Sequence, residues 1–213
     1  MRNFEYVPKE EYGPVKGKLI ELIKNVQYEL RDYFTFQFSF VGSSSRNMIT
    51  RERNGNRGYD FDVDLCLNLE KAEDKYSPKE LKYLLKNAFD AKVQQYGYGF
   101  SEDSTRVLTI KTINIWNPRI CFSCDFAIVR EVKGKDGKTH HLYVFNDKDN
   151  NEYRWHERSK EYDGLKEKAG RIKQAGLWND VRDIYLEKKC LYSDEKESRA
   201  LFAETINEVF DSL

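Results

Sequence analysis

Hydrophobic residues recur along this chain at two spacings, one typical of helices and one of strands. Proline fits the first turn of a helix, so Pro14 is predicted to open one. Its apolar positions are Val15, Leu19, Leu22, Ile23, Val26 and Leu30. The run FTFQFSFV (34–41) predicts a strand, and Ser77-Pro78-Lys79-Glu80 has the spacing of a capping box that starts a second amphipathic helix.

Between these elements lies a segment, 59–69, in which acidic and apolar residues alternate (YDFDVDLCLNL). Successive side chains of a strand point to opposite faces, so Asp60, Asp62 and Asp64 share one face. The other face is apolar and consists of Tyr59, Phe61, Val63, Leu65, Leu67 and Leu69. This pattern predicts a strand that packs one face on a core and presents carboxylates on the other.

Further strands are predicted over residues 105–115, 120–132 and 141–145, with a hairpin turn at Asp136-Gly137. After about residue 160 the apolar spacing is helical only, and three helices are predicted. A mixed sheet with flanking helices and a small C-terminal helical section is an α+β fold. We place the core at residues 1–158, with a helical section at 159–213 packed on it.

Composition narrows the class of protein. The 36 basic and 36 acidic residues give a formal net charge of zero, which disfavours a protein that coats long nucleic acid. No run of 18 apolar residues predicts a membrane span, and the first residues lack the apolar core of a signal peptide. With four cysteines and no such signal, we expect reduced thiols and a cytoplasmic protein.

The three alternating carboxylates are the strongest candidate for chemistry. Two carboxylates two residues apart on a strand can hold a pair of divalent cations ~4 Å apart. Asp125, within the apolar run CFSCDFAIV, could add a third carboxylate from a neighbouring strand, because an unpaired charge there would be costly. A solvated acidic face, with a hydrogen-bonded structural Asp125, is the alternative reading.

These features resemble the signature of the DNA polymerase β-like nucleotidyltransferase superfamily. Its parts are a hydrophobic strand ending in Gly-Ser, an Asp-x-Asp on the next strand and a distant third Asp, matched here by Val41-Gly42-Ser43, Asp60-Phe61-Asp62 and Asp125. The segment RVLTIK (106–111) is similar to one in the oligoadenylate synthetase and cyclic dinucleotide synthase branch. The spacer between Ser43 and Asp60 is longer than the family usually shows.

The resemblance implies a polymerase β-like core and a role for each matched residue. Asp60, Asp62 and Asp125 would ligate two Mg²⁺ or Mn²⁺ ions, and Asp125 would help deprotonate the attacking hydroxyl. Gly42 and Ser43, assisted by Ser44, would hold the phosphates of ATP or another nucleoside triphosphate (NTP). Arg171 or Lys173, on a predicted helix, would supply positive charge to the triphosphate.

The triplet leaves the metal pair open between Asp60/Asp62 and Asp62/Asp64; Asp60/Asp62 is favoured because it lies nearest the Gly-Ser loop. The expected activity transfers a nucleoside monophosphate to a small molecule, a nucleotide, an RNA end or a protein, with release of pyrophosphate. No membrane partner is expected; a homodimer or a partner protein is possible. The rival readings are a non-catalytic nucleotide- or RNA-binding member of the fold and a toxin–antitoxin-type interaction module.

Overall fold

The computed structural model describes residues 2–69, 75–114, 119–134, 137, 139–158 and 164–213, and these ranges contain both helices and strands. The helices in these ranges are α1 (Lys9–Leu30), α2 (Gly42–Ser45), α3 (Pro78–Asp90), α4 (Leu165–Gln174), α5 (Trp178–Tyr192) and α6 (Ser198–Asp211). The strands are β1 (Phe4–Tyr6), β2 (Thr35–Val41), β3 (Thr50–Glu52), β4 (Tyr59–Asn68), β5 (Glu102–Asp103), β6 (Val107–Asn114), β7 (Arg119–Lys133), β8 (Thr139–Asp147) and β9 (Glu152–Glu157).

Seven strands form one mixed sheet in the order β2-β4-β7-β6-β5, and the β8–β9 hairpin extends it from β7. Within it β4 runs antiparallel to β2 and parallel to β7. The acidic strand therefore has a hydrogen-bonded neighbour on each side. A strand held on both sides cannot slip by one residue without turning its apolar face away from the core, so the position of its carboxylates is strongly specified.

The core of this sheet lies on the face opposite the carboxylates. Phe61, Val63 and Leu65 of β4 are almost completely buried there, with Phe126 of β7. Helix α3 packs on the same face, and its Phe89 ring lies 4.4 Å from that of Phe126, centroid to centroid. The N-terminus of α3 has the predicted capping box, in which the Ser77 hydroxyl accepts from the Glu80 amide. Helices α1 and α3 cover this face, and the carboxylates of Asp60, Asp62 and Asp64, here called the acidic row, lie on the other.

The chain divides into two compact units. The sheet unit comprises Val7–Ile49 and Asn56–Arg158, and the helical unit comprises Met1–Tyr6, Thr50–Gly55 and Ser159–Leu213. The helical unit thus contains the two-stranded β1–β3 sheet as well as α4, α5 and α6. The predicted boundary between residues 158 and 159, with the helical section packed on the core, stays a prediction.

Some local features differ from those predicted. Helix α1 begins at Lys9, so the prediction that Pro14 opens it was wrong; Pro14 lies inside the helix, on its exposed side. The first turn of α1, before Pro14, is held by Tyr12, which is buried and donates its hydroxyl to Asn47 Oδ1 at 3.1 Å. Gly137 has the positive φ expected of the hairpin turn, whereas Asp136 lies outside the described residues.

Across the described residues, the helices are all too short or too polar to cross a lipid bilayer.

Candidate active site

Strand β4 separates carboxylates from apolar side chains as the alternation predicts. Its apolar residues are buried, whereas Asp60 is exposed and Asp62 and Asp64 are half-buried. Burial of the apolar residues against the helices leaves the three carboxylates together on the opposite face. The side chains of this acidic row are therefore available to a ligand, and their neighbours on adjacent strands determine what they can bind.

The strand register brings Asp125 to this row. In the parallel pairing of β4 with β7, Asp62 is the direct partner of Asp125, and Asp60 is the partner of Ser123. Directly paired residues of neighbouring strands point to the same face of a sheet. Asp125 thus shares one face with Asp60 and Asp62, although it lies more than sixty residues after them in the sequence.

Gly42 lies against the Asp62 carboxylate. Val41 is the antiparallel partner of Asp62, so the chain turns into α2 immediately beside it. Gly42 has a φ of +62°, and a Cβ placed on it would lie 2.6 Å from Asp62 Oδ2. Both the backbone conformation and the lack of space exclude a side chain here. The glycine therefore allows the backbone of the loop to pass directly over the acidic row.

The three serines that follow Gly42 have different surroundings. Ser44 is buried, and its hydroxyl donates to the Val41 carbonyl at 3.0 Å, while the Ser45 hydroxyl donates to the Gly42 carbonyl at 2.9 Å. Ser43 is half-buried, and its carbonyl accepts from the Met48 amide at 2.9 Å. A contact between the Ser44 hydroxyl and a phosphate would require its present bond to break, so Ser43 is the better placed of the two.

Asp62 experiences the strongest electrostatic stress of the acidic row. The pKa of Asp62 is raised to about 6, chiefly by burial and further by the negative charges of Asp125, Asp60 and Asp64, while Arg46 opposes the shift. Burial also raises the pKa of Asp125, against the hydrogen bond from Thr109. Carboxylates in this condition bind either a proton or a cation favourably, because either relieves the repulsion.

Asp60, on the same strand as Asp62, and Asp125, on the neighbouring strand, both accept hydrogen bonds from neutral hydroxyls. Ser123 donates its hydroxyl to Asp60, and Thr109 of β6, the direct partner of Asp125, donates to Asp125 Oδ1 at 2.6 Å. Sequence reasoning missed both donors. Their only signal is strand register, which brings together residues far apart in the chain.

Asp64 has a different partner. The Arg158 guanidinium donates to both of its oxygens, at 2.6 and 2.8 Å, and the Asp64 side chain is only 14% exposed. A bidentate pair of this kind neutralises the carboxylate and uses one lone pair on each oxygen. Of the two pairs that the sequence leaves open, Asp62/Asp64 therefore includes a carboxylate that is already paired with a cation.

The donor set suits a hard divalent cation. Carboxylate oxygens are the protein ligands that Mg²⁺ prefers, and the crowding of Asp62 by like charges supplies a reason to bind one. Nowhere in the described ranges do three or more His, Cys, Asp or Glu side chains already converge as a metal cage.

Arg171 and Lys173 belong to the helical unit, where both are exposed on α4. The Arg171 guanidinium lies over the Phe210 ring, 4.8 Å from its centroid, and the Lys173 ammonium lies 4.4 Å from that of Trp178. These contacts leave both cations facing solvent within their unit. Their predicted role at a triphosphate stays a prediction that rests on the resemblance alone.

Comparison with known proteins gives a clear result for the fold and none for the sequence. No family model matches the chain, and no curated protein matches it. Among solved structures, the chain is similar to Vibrio cholerae DncV in its 3′-deoxy ATP bound form, with 16% identity and a TM-score of 0.58 over 91% of this chain and 50% of that one.

Two further structures are similar. One is the Vibrio cholerae DncV cyclic AMP-GMP synthase with the linear intermediate 5′ pppA(3′,5′)pG (16% identity, TM-score 0.57, 84% of this chain and 46% of that one). The other is the Bradyrhizobium diazoefficiens CD-NTase CdnG with GTP (15% identity, TM-score 0.51, 80% and 50%). The chain thus spans about half the length of these proteins. The predicted α+β fold, a mixed sheet with flanking helices, is confirmed, and it is the fold of these solved structures.

Proposed function

We propose that this protein is a metal-dependent nucleotidyltransferase that moves a nucleoside monophosphate from an NTP to an acceptor hydroxyl and releases pyrophosphate. The observation that carries the proposal is the direct pairing of Asp62 with Asp125 on the sheet face that Gly42 closely overlies. The fold shared with nucleotide-bound synthases supports it. A solvated acidic face would need neither half-buried carboxylates that repel one another nor a glycine backbone in close contact with Asp62.

In this proposal the acidic row holds the metal ions. Asp60 and Asp62 would hold both Mg²⁺ or Mn²⁺ ions, and Asp125 would hold one of them. Bound there, the two ions would neutralise charge on the triphosphate and lower the pKa of the attacking hydroxyl. Asp64 stays outside the metal site, because Arg158 occupies both of its oxygens.

The loop at the end of β2 positions the donor nucleotide. The amide of Gly42 and the amide and hydroxyl of Ser43 contact the β- and γ-phosphates, which the absence of a Cβ on Gly42 allows to approach. The acceptor hydroxyl, deprotonated with the help of Asp125, attacks the α-phosphorus. A new P–O bond forms as the bond to the bridging oxygen of pyrophosphate breaks, and that oxygen leaves with the electron pair.

The acceptor we favour is the hydroxyl of a second nucleotide. A linear dinucleotide intermediate is bound in one of the similar structures, which is described as a cyclic AMP-GMP synthase. The small molecule, RNA end and protein acceptors expected from the sequence are the alternatives. They differ in the size of the labelled product, so one experiment separates them.

The test is incubation of the protein with each α-labelled NTP and Mg²⁺ or Mn²⁺, followed by thin-layer chromatography and gel electrophoresis. We expect pyrophosphate and a labelled product, both absent with Asp62→Asn and unchanged with Asp211→Asn, which removes an exposed carboxylate from α6. Metal-dependent NTP binding without turnover would instead favour a non-catalytic member of the fold. Absence of both binding and product would refute the proposal.

The prediction for α4 has its own test. Replacing Arg171 and Lys173 together by Gln should weaken NTP binding about tenfold, the effect of losing roughly 1.4 kcal/mol of charge interaction. The matched control is Lys166→Gln, which removes an exposed cation from the same helix. Calorimetry with a non-hydrolysable NTP analogue measures both. Equal affinities would remove Arg171 and Lys173 from the site.

A further inference from the structure

The hydroxyls of Ser123 and Thr109 lie on the face of the sheet that carries the acidic row. Each belongs to the residue directly paired with the carboxylate it contacts: Ser123 with Asp60 across β4 and β7, and Thr109 with Asp125 across β6 and β7. The strand register itself, not a flexible side chain, therefore places each donor beside its carboxylate. Two of the three proposed metal ligands are held in the same manner from neighbouring strands.

These hydroxyls do more than satisfy buried polar groups. Asp60 is exposed, so water alone could solvate its carboxylate, and folding does not require a protein donor there. A hydroxyl leaves the carboxylate fully charged, in contrast to the guanidinium that neutralises Asp64. On this face, Asp64 is therefore paired with a cation, whereas Asp60 and Asp125 each accept a hydrogen bond from a neutral hydroxyl.

We propose that Ser123 and Thr109 are positioning residues that orient Asp60 and Asp125 for the two metal ions. Each hydroxyl holds one carboxylate oxygen and leaves the other for the cation, since a carboxylate has about four lone-pair sites. The inference rests on the proposed function, because it concerns the same site. Hydrogen-bond partners of metal ligands typically contribute 10–100-fold to metal affinity.

Removal of either hydroxyl provides the test. We compare Ser123→Ala and Thr109→Val with Thr112→Val, a matched control on β6. The Thr112 hydroxyl has no hydrogen-bond partner among the described residues, and it points to the opposite face from Thr109. Electron paramagnetic resonance of free Mn²⁺, with non-hydrolysable ATP and GTP analogues present, measures metal affinity without turnover.

We expect about 10–100-fold weaker Mn²⁺ binding by Ser123→Ala and by Thr109→Val, and wild-type binding by Thr112→Val. The swaps Ser123→Thr and Thr109→Ser keep a hydroxyl and should restore affinity. Melting temperatures in EDTA should stay near that of the wild type for all five variants, which separates positioning of the metal ligands from support of the fold.

Two outcomes overturn the inference, and a third is directed at the proposed function. Mn²⁺ binding by Ser123→Ala and Thr109→Val equal to that of Thr112→Val would leave the hydroxyls without a role while the nucleotidyltransferase proposal stands. Weaker binding accompanied by a matching fall in melting temperature, and not restored by the swaps, would make their role structural. Absence of Mn²⁺ binding by the wild-type protein would refute the proposed function itself.

Discussion

Asp62 is the residue on which most of the site's electrostatics depends. Its pKa of about 6 in the folded protein is above its ordinary value of 3.8, so the folded state binds the proton more tightly than the unfolded state. The resulting stabilisation is complete below about pH 4 and is lost as pH rises through 6. At neutral pH the metal-free protein therefore carries a destabilising charge that a cation would offset.

Replacement of Asp62 by Asn should consequently raise the stability of the metal-free protein at pH 7.5. The expected increase in the free energy of unfolding is up to about 3 kcal/mol, since one pKa unit corresponds to about 1.4 kcal/mol, and it should vanish by pH 4. Urea denaturation in EDTA at both pH values measures it, with Asp211→Asn as the control. An increase that is independent of pH would contradict the assignment of the raised pKa to Asp62.

Asp60 and Asp64 are chemically identical but have different partners, and their substitution should have different results. Asp60→Asn removes a proposed metal ligand and should lower turnover by about 100-fold or more, with little loss of stability. Asp64→Asn leaves Arg158 without its carboxylate and should cost about 1–2 kcal/mol of stability, with a much smaller effect on turnover.

The double variant Asp64→Asn/Arg158→Gln checks this interpretation, because it removes both members of the ion pair. Its loss of stability should be smaller than the sum of the losses in the two single variants, as expected for residues in direct contact. Steady-state rates and urea denaturation are compared for Asp60→Asn, Asp64→Asn, Arg158→Gln and the double variant. A larger loss of turnover from Asp64→Asn than from Asp60→Asn would move the metal pair to Asp62/Asp64.

At the scale of elements, the approach of the chain to β4 depends on Gly58. This glycine has a φ of +62°, and a Cβ placed on it would lie 2.1 Å from the carbonyl oxygen of Cys121 in β7. The neighbouring atoms are backbone and cannot rotate away. A side chain here would push the start of β4 from β7, next to Asp60 and Ser123.

Gly58→Ala should therefore be much more damaging than a substitution at a glycine that is only conformationally strained. Gly97→Ala is the matched control, since Gly97 has a φ of +77° but nothing within 4 Å of an added Cβ. We expect a loss of about 1–2 kcal/mol for Gly97→Ala and a loss of folding or of metal binding for Gly58→Ala. Similar melting temperatures for the two variants would show that the close contact with Cys121 can relax.

The long elements are predictable from sequence because each has an apolar face wide enough to fix its type and its orientation. Strand β4 and the capped helix α3 are the clearest examples. The short strands β1, β3 and β5 have two or three residues each, too few for a period to appear. Strands β1 and β3 exist only through pairing with each other across the whole of α1 and β2, and β5 depends on its pairing with β6.

The same reason explains which site residues could be predicted. Asp60, Asp62, Asp125 and Gly42 are identified by alternation and by the resemblance, both of which are local in sequence. Ser123, Thr109 and Arg158 act through register or long side chains, and the surrounding sequence contains no sign of their partners. The burial of Ser44 could not be predicted either, because the sequence does not distinguish three consecutive serines whose exposure depends on the conformation of the turn.

At the scale of the whole molecule, three separate segments of the chain build the helical unit. Strand β1 pairs with β3 and contacts α5: the Tyr6 hydroxyl donates to the Arg182 carbonyl at 2.6 Å, and the Arg2 amide donates to that of Cys190 at 3.2 Å. The Arg182 guanidinium also lies over the Tyr6 ring. The N-terminal residues are therefore part of the structure that supports α5.

Deletion of residues 2–6 should accordingly destabilise α5 more than the seven-stranded sheet. Hydrogen exchange followed by mass spectrometry should show faster exchange in Trp178–Tyr192, while the amides of β4 and β7 stay protected. A milder variant, Tyr6→Phe, removes only the hydroxyl and should cost about 1 kcal/mol. Unchanged exchange in α5 after the deletion would mean that β1 contributes nothing to its stability.

The three-segment helical unit also has a consequence for how the protein is made. Residues 2–6 are synthesised well before their partners Arg182 and Cys190. At about 5–20 residues per second, β1 waits roughly 10–40 s for α5 to emerge. The sheet unit, whose segments end at Arg158, can fold within that interval. Translation thus allows the acidic row to be assembled before the helical unit is complete.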